Sequence, residues 1–133
     1  MSDSNSTPSP RVLLVDDSPI NQKLIGGLLE RVSCQLTVAN NGQEAMESLA
    51  VQDFDVVLMD VQMPVMDGLT ATGLIREHEQ GTTRHTVIIG LTAGVDRKAC
   101  LEAGMDQYMS KPVRPKMLYR MLDQIFCRSS TNV

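Results

Sequence analysis

Three short runs of uninterrupted apolar residues constrain this chain more than any other feature. They are Val12-Leu13-Leu14-Val15, Val56-Val57-Leu58-Met59 and Val87-Ile88-Ile89-Gly90-Leu91. Runs of this length without polar alternation suit strands covered on both faces, and such strands occur in parallel sheets flanked by helices. Two weaker runs, Leu36-Thr37-Val38-Ala39 and Gln107-Tyr108-Met109-Ser110, supply two further strands.

Helical patterns fill the gaps. Ser18 is an N-cap with Pro19 at the first helical position, and Ile20, Leu24 and Leu28 follow at i+4 spacing. Gly26 and Gly27 interrupt this helix at a cost of about 1 kcal/mol each against Ala, and only close packing would account for them. Further helices are predicted over 42–50, 68–79 and 96–103, the last stopped by Gly104. A fifth begins near Pro115 with two apolar rows, Met117-Met121-Ile125 and Leu118-Leu122-Phe126. The pattern predicts an α/β fold, a doubly wound (βα)5 unit with a central five-stranded parallel sheet over residues 11–127. Residues 1–10 are expected to be a disordered tail and 128–133 a polar C-terminal tail.

Composition narrows the function classes. Twelve basic and sixteen acidic residues give a formal charge of −4, which provides no basic face for direct nucleic-acid binding. Four aromatics, no Trp and nine Met imply an aliphatic core. No apolar run approaches the ~20 residues that span a bilayer, and the Ser/Pro-rich start has no apolar signal segment. Cys34, Cys100 and Cys127 lack CxxC spacing, and His78 and His85 have no nearby Cys or third His, so neither a disulfide framework nor a zinc site is expected. The expectation is a reduced, cytoplasmic domain with no membrane attachment of its own.

In open α/β sheets ligands bind beyond the carboxyl ends of the strands, so the residues that end each run are the candidates. The first strand ends in Asp16-Asp17, the third in Asp60, the fourth in Thr92 and the fifth in Ser110-Lys111-Pro112. The second ends in Asn40-Asn41-Gly42, which reads as turn chemistry alone. Three carboxylates gathered at one edge repel one another unless a cation sits among them, and hard oxygen ligands suit Mg²⁺. Lys111 can pair with a carboxylate or a phosphate, and Thr92 offers a short hydroxyl donor. No Ser–His or Cys–His pair supports acyl transfer, and no GxGxxG or GxxxxGK[ST] supports nucleotide binding. The chemistry that fits is attack by a carboxylate, Asp60, on a phosphoryl group.

At these residues the chain resembles the receiver (response-regulator) family of two-component and phosphorelay systems. The resemblance rests on Val15-Asp16-Asp17-Ser18, the segment Leu58-Met59-Asp60 through Asp67-Gly68, Leu91-Thr92-Ala93 and Ser110-Lys111-Pro112. Asp16-Asp17-Ser18-Pro19-Ile20-Asn21 and Asn41-Gly42-Gln43-Glu44-Ala45 look most like receivers of hybrid sensor histidine kinases. It implies the flavodoxin-like strand order 2-1-3-4-5. It also implies that Asp60 accepts a phosphoryl group from the phosphohistidine of a histidine kinase or histidine phosphotransfer protein. The implied Mg²⁺ site comprises Asp17 directly, Asp16 through water, Asp60 and the Gln62 backbone carbonyl. Thr92 and Lys111 would contact the phosphoryl oxygens, Tyr108 would be the aromatic switch with Thr92, and Lys111-Pro112 would be cis. Gln62 and Gly94 would tune the lifetime of the phosphoryl group. The output would be a conformational change read by a downstream protein target, with no enzymatic turnover beyond self-phosphorylation and self-dephosphorylation.

Two rivals share the residues. A Mg²⁺-dependent phosphatase with an Asp nucleophile typically carries a second Asp two residues on, where this chain has Gln62. A phosphate-independent interaction domain or flavin binder is the other, although nothing supplies an aromatic sandwich for a flavin.

Overall fold

The computed structural model describes residues 10–61, 68–93 and 97–130. The chain alternates strand and helix throughout: β1 (Arg11–Val15), α1 (Pro19–Glu30), β2 (Gln35–Ala39), α2 (Gly42–Val51), β3 (Val56–Asp60), α3 (Gly68–Glu79), β4 (Val87–Thr92), α4 (Arg97–Ala103), β5 (Gln107–Ser110) and α5 (Pro115–Ser130). All strand pairs are parallel, and the order across the sheet is β2-β1-β3-β4-β5. The strand order is therefore the one expected. Helix α5 continues to Ser130, three residues beyond the boundary set at Cys127.

The apolar runs are buried because each strand residue feeds one of two cores. Leu13, Val15, Val57, Met59 and Ile88 pack with Ala45 of α2, Ala71 and Ile75 of α3 and Cys100 of α4. Val12, Leu14, Val56, Leu58, Ile89 and Leu91 pack on the other face with Ile25 and Leu29 of α1 and Leu118 and Leu122 of α5. Fully burying one such aliphatic side chain contributes about 1.5–3 kcal/mol. Gly90 interrupts the β4 run for a packing reason: a Cβ there would lie 2.5 Å from the Met105 Sδ.

In two helices the apolar spacing does not by itself give the buried face. In α1 the row Ile20-Leu24-Leu28 is not the buried one. Ile20 is 77% exposed and Leu24 55%, while Ile25, Gly26 and Leu29 face the sheet and Leu28 packs at the margin. The rotation has a polar cause. Gln22 shares the face of Gly26 and Leu29, and its Nε2 donates to the Asp16 carbonyl (2.6 Å) and to Asn40 Oδ1 (2.8 Å). The close packing considered for the glycines is absent, since a Cβ at Gly27 meets nothing within 4 Å and one at Gly26 makes ordinary contact with Leu36. In α5, Leu118 and Leu122 are buried and Met121, Ile125 and Phe126 half-buried, but Met117 is 45% exposed. The Tyr119 hydroxyl instead turns toward α1 and donates to the Leu28 carbonyl (2.8 Å).

Polar pins fix the ends of the sheet. The Arg11 N–H donates to Asp55 Oδ2 (2.7 Å) and the Asp55 N–H to the Arg11 carbonyl (2.8 Å), so β3 is tied to β1 before it begins. At the same end Arg76 reaches from α3 to the Gly104 carbonyl (2.9 Å), Asp106 Oδ2 (2.8 Å) and Glu79 Oε1 (2.7 Å). Asp106 Oδ2 also accepts from the Ile88 N–H, and Glu79 Oε2 from the Thr86 N–H. Among the described residues no helix is long and apolar enough to cross a membrane.

Candidate phosphoryl-acceptor site

The site lies at the opposite end of the sheet, where β1, β3, β4 and β5 finish. The Asp16 N–H donates to the Ala39 carbonyl, which carries the β1–β2 ladder one residue past the strand. Asp16 is fully buried, and its Oδ1 accepts the Ser18 N–H at 2.9 Å. Ser18 in turn caps α1, accepting from the Asn21 N–H. Asp17 points outward and is exposed. Asp60 is the last residue of β3 and only 3% exposed, held by the pairing of Val61 N–H with the Leu91 carbonyl.

These three residues converge. Asp16, Asp17 and Asp60 each place a carboxylate oxygen within 4.8 Å of the others. Lys111, the residue after β5, joins them with its Nζ 2.9 Å from Asp60 Oδ1. The Lys111 N–H donates to the Thr92 carbonyl (2.8 Å), which fixes the lysine beside the end of β4. Thr92 is buried. The Lys111–Pro112 peptide is cis. Tyr108 on β5 is half-buried, and the Arg97 guanidinium lies over its ring, 5.2 Å from the centroid. Gln62 and Gly94 lie outside the described residues.

Burial pushes the Asp16 carboxyl above its ordinary value, the Ser18 N–H opposes this, and the Asp60 charge adds to the rise. Among the described residues Asp16 Oδ2 is buried without a hydrogen-bond partner. A buried, unpartnered carboxylate oxygen beside two further carboxylates is the donor set of a small hard cation, so Asp16, Asp17 and Asp60 fit Mg²⁺.

Two supporting residues were not singled out for the site from sequence. Gln22 holds the Asp16 carbonyl from inside α1, and only the helix rotation reveals it. In the sequence Gly68 figured only as the end of the motif segment that begins at Leu58 and as the first residue of a helix. Its N–H donates to the Val61 carbonyl (3.0 Å), and a Cβ on it would press on the Asp60 carbonyl oxygen and lie 2.9 Å from Met59 Cγ. Glycine there lets α3 start directly against the backbone of Asp60.

Comparison with known proteins agrees with this arrangement. The family model described as the response regulator receiver domain matches residues 12–123. The chain is 37% identical over 126 residues to hybrid signal transduction histidine kinase I of Dictyostelium discoideum, covering 89% of this chain and 7% of that protein. It is 40% identical over 123 residues to the sensor histidine kinase GacS of Pseudomonas protegens, covering 88% and 13%. The chain thus spans only a small part of these curated relatives. Among solved structures it resembles the receiver domain of the sensor histidine kinase PA1611 of Pseudomonas aeruginosa, which has a magnesium ion coordinated in its active-site cleft. That match has a TM-score of 0.79 and 39% identity, covering 87% of this chain and 96% of that one. It also resembles a chain in the co-crystal of the Saccharomyces cerevisiae phosphotransfer protein Ypd1 with the Ssk1 receiver domain, with a TM-score of 0.83, 31% identity and 92% of each chain covered. With β2-β1-β3-β4-β5 order, three carboxylates and a lysine at the strand ends, and a family match over nearly its whole length, the chain belongs to the response regulator receiver family of two-component and phosphorelay systems.

Proposed function

We propose that Asp60 takes a phosphoryl group from the phosphohistidine of a histidine kinase or histidine phosphotransfer protein. An Asp60 carboxylate oxygen forms a bond to phosphorus while the P–N bond to the donor imidazole breaks. The electron pair leaves on that nitrogen, which carries or acquires a proton. Asp16, Asp17 and Asp60, with the Gln62 carbonyl as the ligand implied by family resemblance, would hold Mg²⁺, which would supply positive charge against the phosphoryl oxygens. Lys111 moves its ammonium from Asp60 Oδ1 onto a phosphoryl oxygen, and the Thr92 hydroxyl donates to another. The product adds about −1.5 to −2 charges at the strand edge. This biases the Thr92 and Tyr108 face between two conformations, which a downstream protein reads. The role is that of a signalling phosphoacceptor that also loses its phosphoryl group to water.

The donor meets a prepared surface. Ile20 and Leu24, exposed on the first turns of α1, follow directly on Asp17 and offer apolar contact beside the site. The observation that carries the reading is the Lys111–Asp60 ion pair set among the three converging carboxylates. Intact-mass measurement after incubation with acetyl phosphate and Mg²⁺ tests it. One phosphoryl group on the wild type and none on Asp60→Asn is the expected result; equal labelling of both chains overturns the assignment.

A further inference from the structure

Helix α4 is held very differently at its two ends. Its C-terminal end is fixed by Arg76, which bonds the Gly104 carbonyl and Asp106, and by Met105 and Cys100 packed on Gly90. At its other end Arg97 is exposed and lies over the ring of Tyr108. Among the described residues Arg97 makes no ion pair, so the π-face of Tyr108 is the acceptor of its charge. Tyr108 sits on β5 opposite Gly90, two positions before the Thr92–Ser110 pair and three before Lys111.

We propose that Arg97 is a positioning residue that restrains Tyr108 in the unphosphorylated protein, and that phosphorylation at Asp60 must break this contact. The proposal rests on Asp60 as phosphoacceptor and on Tyr108 as the group that repositions. The contact belongs to one placement of the ring. A ring that leaves α4 loses the guanidinium, which has no ion-pair partner among the described residues. A cation over an aromatic face at an exposed site biases a two-state ratio by about twofold to fivefold. That magnitude is suited to tuning, because it sets how much of the population switches at partial occupancy without blocking the switch.

The test is direct, since the chain has two tyrosines only. The 133-residue chain labelled with 3-fluorotyrosine gives two ¹⁹F resonances, with Tyr119 as the internal reference. Beryllofluoride with Mg²⁺ serves as the phosphoryl probe. Arg97→Gln is expected to move the Tyr108 resonance toward its beryllofluoride-saturated position before any probe is added. It is also expected to lower the half-saturating beryllofluoride concentration by about twofold to fivefold. Arg97→Lys, which keeps a cation over the ring, is expected to restore the wild-type values. In a Tyr108→Leu background, with binding read from the ¹⁹F resonance of the bound beryllofluoride itself, Arg97→Gln is expected to leave half-saturation unchanged. If wild type responds to the probe and Arg97→Gln behaves identically, the restraint is overturned while the phosphoacceptor reading stands. The same holds if the effect persists without Tyr108, or if Lys behaves as Gln does. A wild-type Tyr108 resonance that ignores a saturating probe overturns the switch on which the proposal rests, and the restraint with it.

Discussion

Asp16 shows how a single residue can be placed for a partner at the expense of the free fold. Its carboxyl is buried, faces Asp60 and has one oxygen without a hydrogen bond, so ionisation is disfavoured in the folded chain. A carboxyl raised on folding stabilises the fold when protonated and loses that contribution as pH rises through its folded value. Metal-free Asp16→Asn should therefore be more stable than wild type by about 1 kcal/mol near neutral pH, with the gain shrinking toward about pH 4. The variant keeps an acceptor for the Ser18 N–H, so differential scanning calorimetry across that range reads the carboxylate alone. Adding Mg²⁺ should reverse the ranking, because only wild type has the full ligand set. The acids, Thr92 and Lys111 were legible in sequence because each ends an apolar run, and a parallel sheet brings such ends together. Gly68 was not, since its constraint is contact with a carbonyl eight residues away in the chain.

At the scale of the element, sequence located helices better than it oriented them. The start of α1 falls where cap chemistry puts it, α3 spans the expected range, and the ends of α2 and α4 lie within one residue of expectation. The buried face of α1 was open in the sequence because its apolar residues form two adjacent rows, and Gln22 reaching Asp16 and Asn40 goes with the row that is buried. The displaced row leaves Ile20 and Leu24 in solvent. Ile20→Ser with Leu24→Ser should change stability by less than about 0.5 kcal/mol each, as measured by urea unfolding. Transfer from a phosphorylated histidine phosphotransfer protein should slow at least about tenfold, a loss of about 1.4 kcal/mol of contact, while labelling by acetyl phosphate is unchanged. Equal slowing with both donors would remove the docking role. Gly27, with open space at its Cβ, should become a stabilising site. Gly27→Ala is expected to add about 1 kcal/mol in the same unfolding measurement.

Across the whole molecule, the alternation of strand and helix and the strand order were readable, but the network at the far end was not. Arg76, Glu79 and Asp106 meet across a sequence gap of up to 30 residues, and no periodicity encodes that pairing. Burial opposes ionisation of Glu79, yet the Thr86 N–H and Arg76 outweigh it and hold the carboxyl below its ordinary value. A lowered carboxyl stabilises the fold above its unfolded value and loses that contribution in acid. Glu79→Gln should thus cost about 1–2 kcal/mol near neutral pH and progressively less below about pH 4.5, read by urea unfolding at each pH. The pin between Arg11 and Asp55 carries a different kind of consequence. Every residue of β3 is buried, so hydrophobicity alone does not distinguish one alignment of this strand from its neighbour. The pin acts as the zero mark of a ruler, and Asp60, the proposed acceptor, is the fifth graduation from it. Removing any one of Val56 to Met59 would preserve an oily strand yet turn the carboxylate to the opposite side of the sheet. The place of the Asp60 carboxylate is thus measured out from the end of the sheet farthest from it.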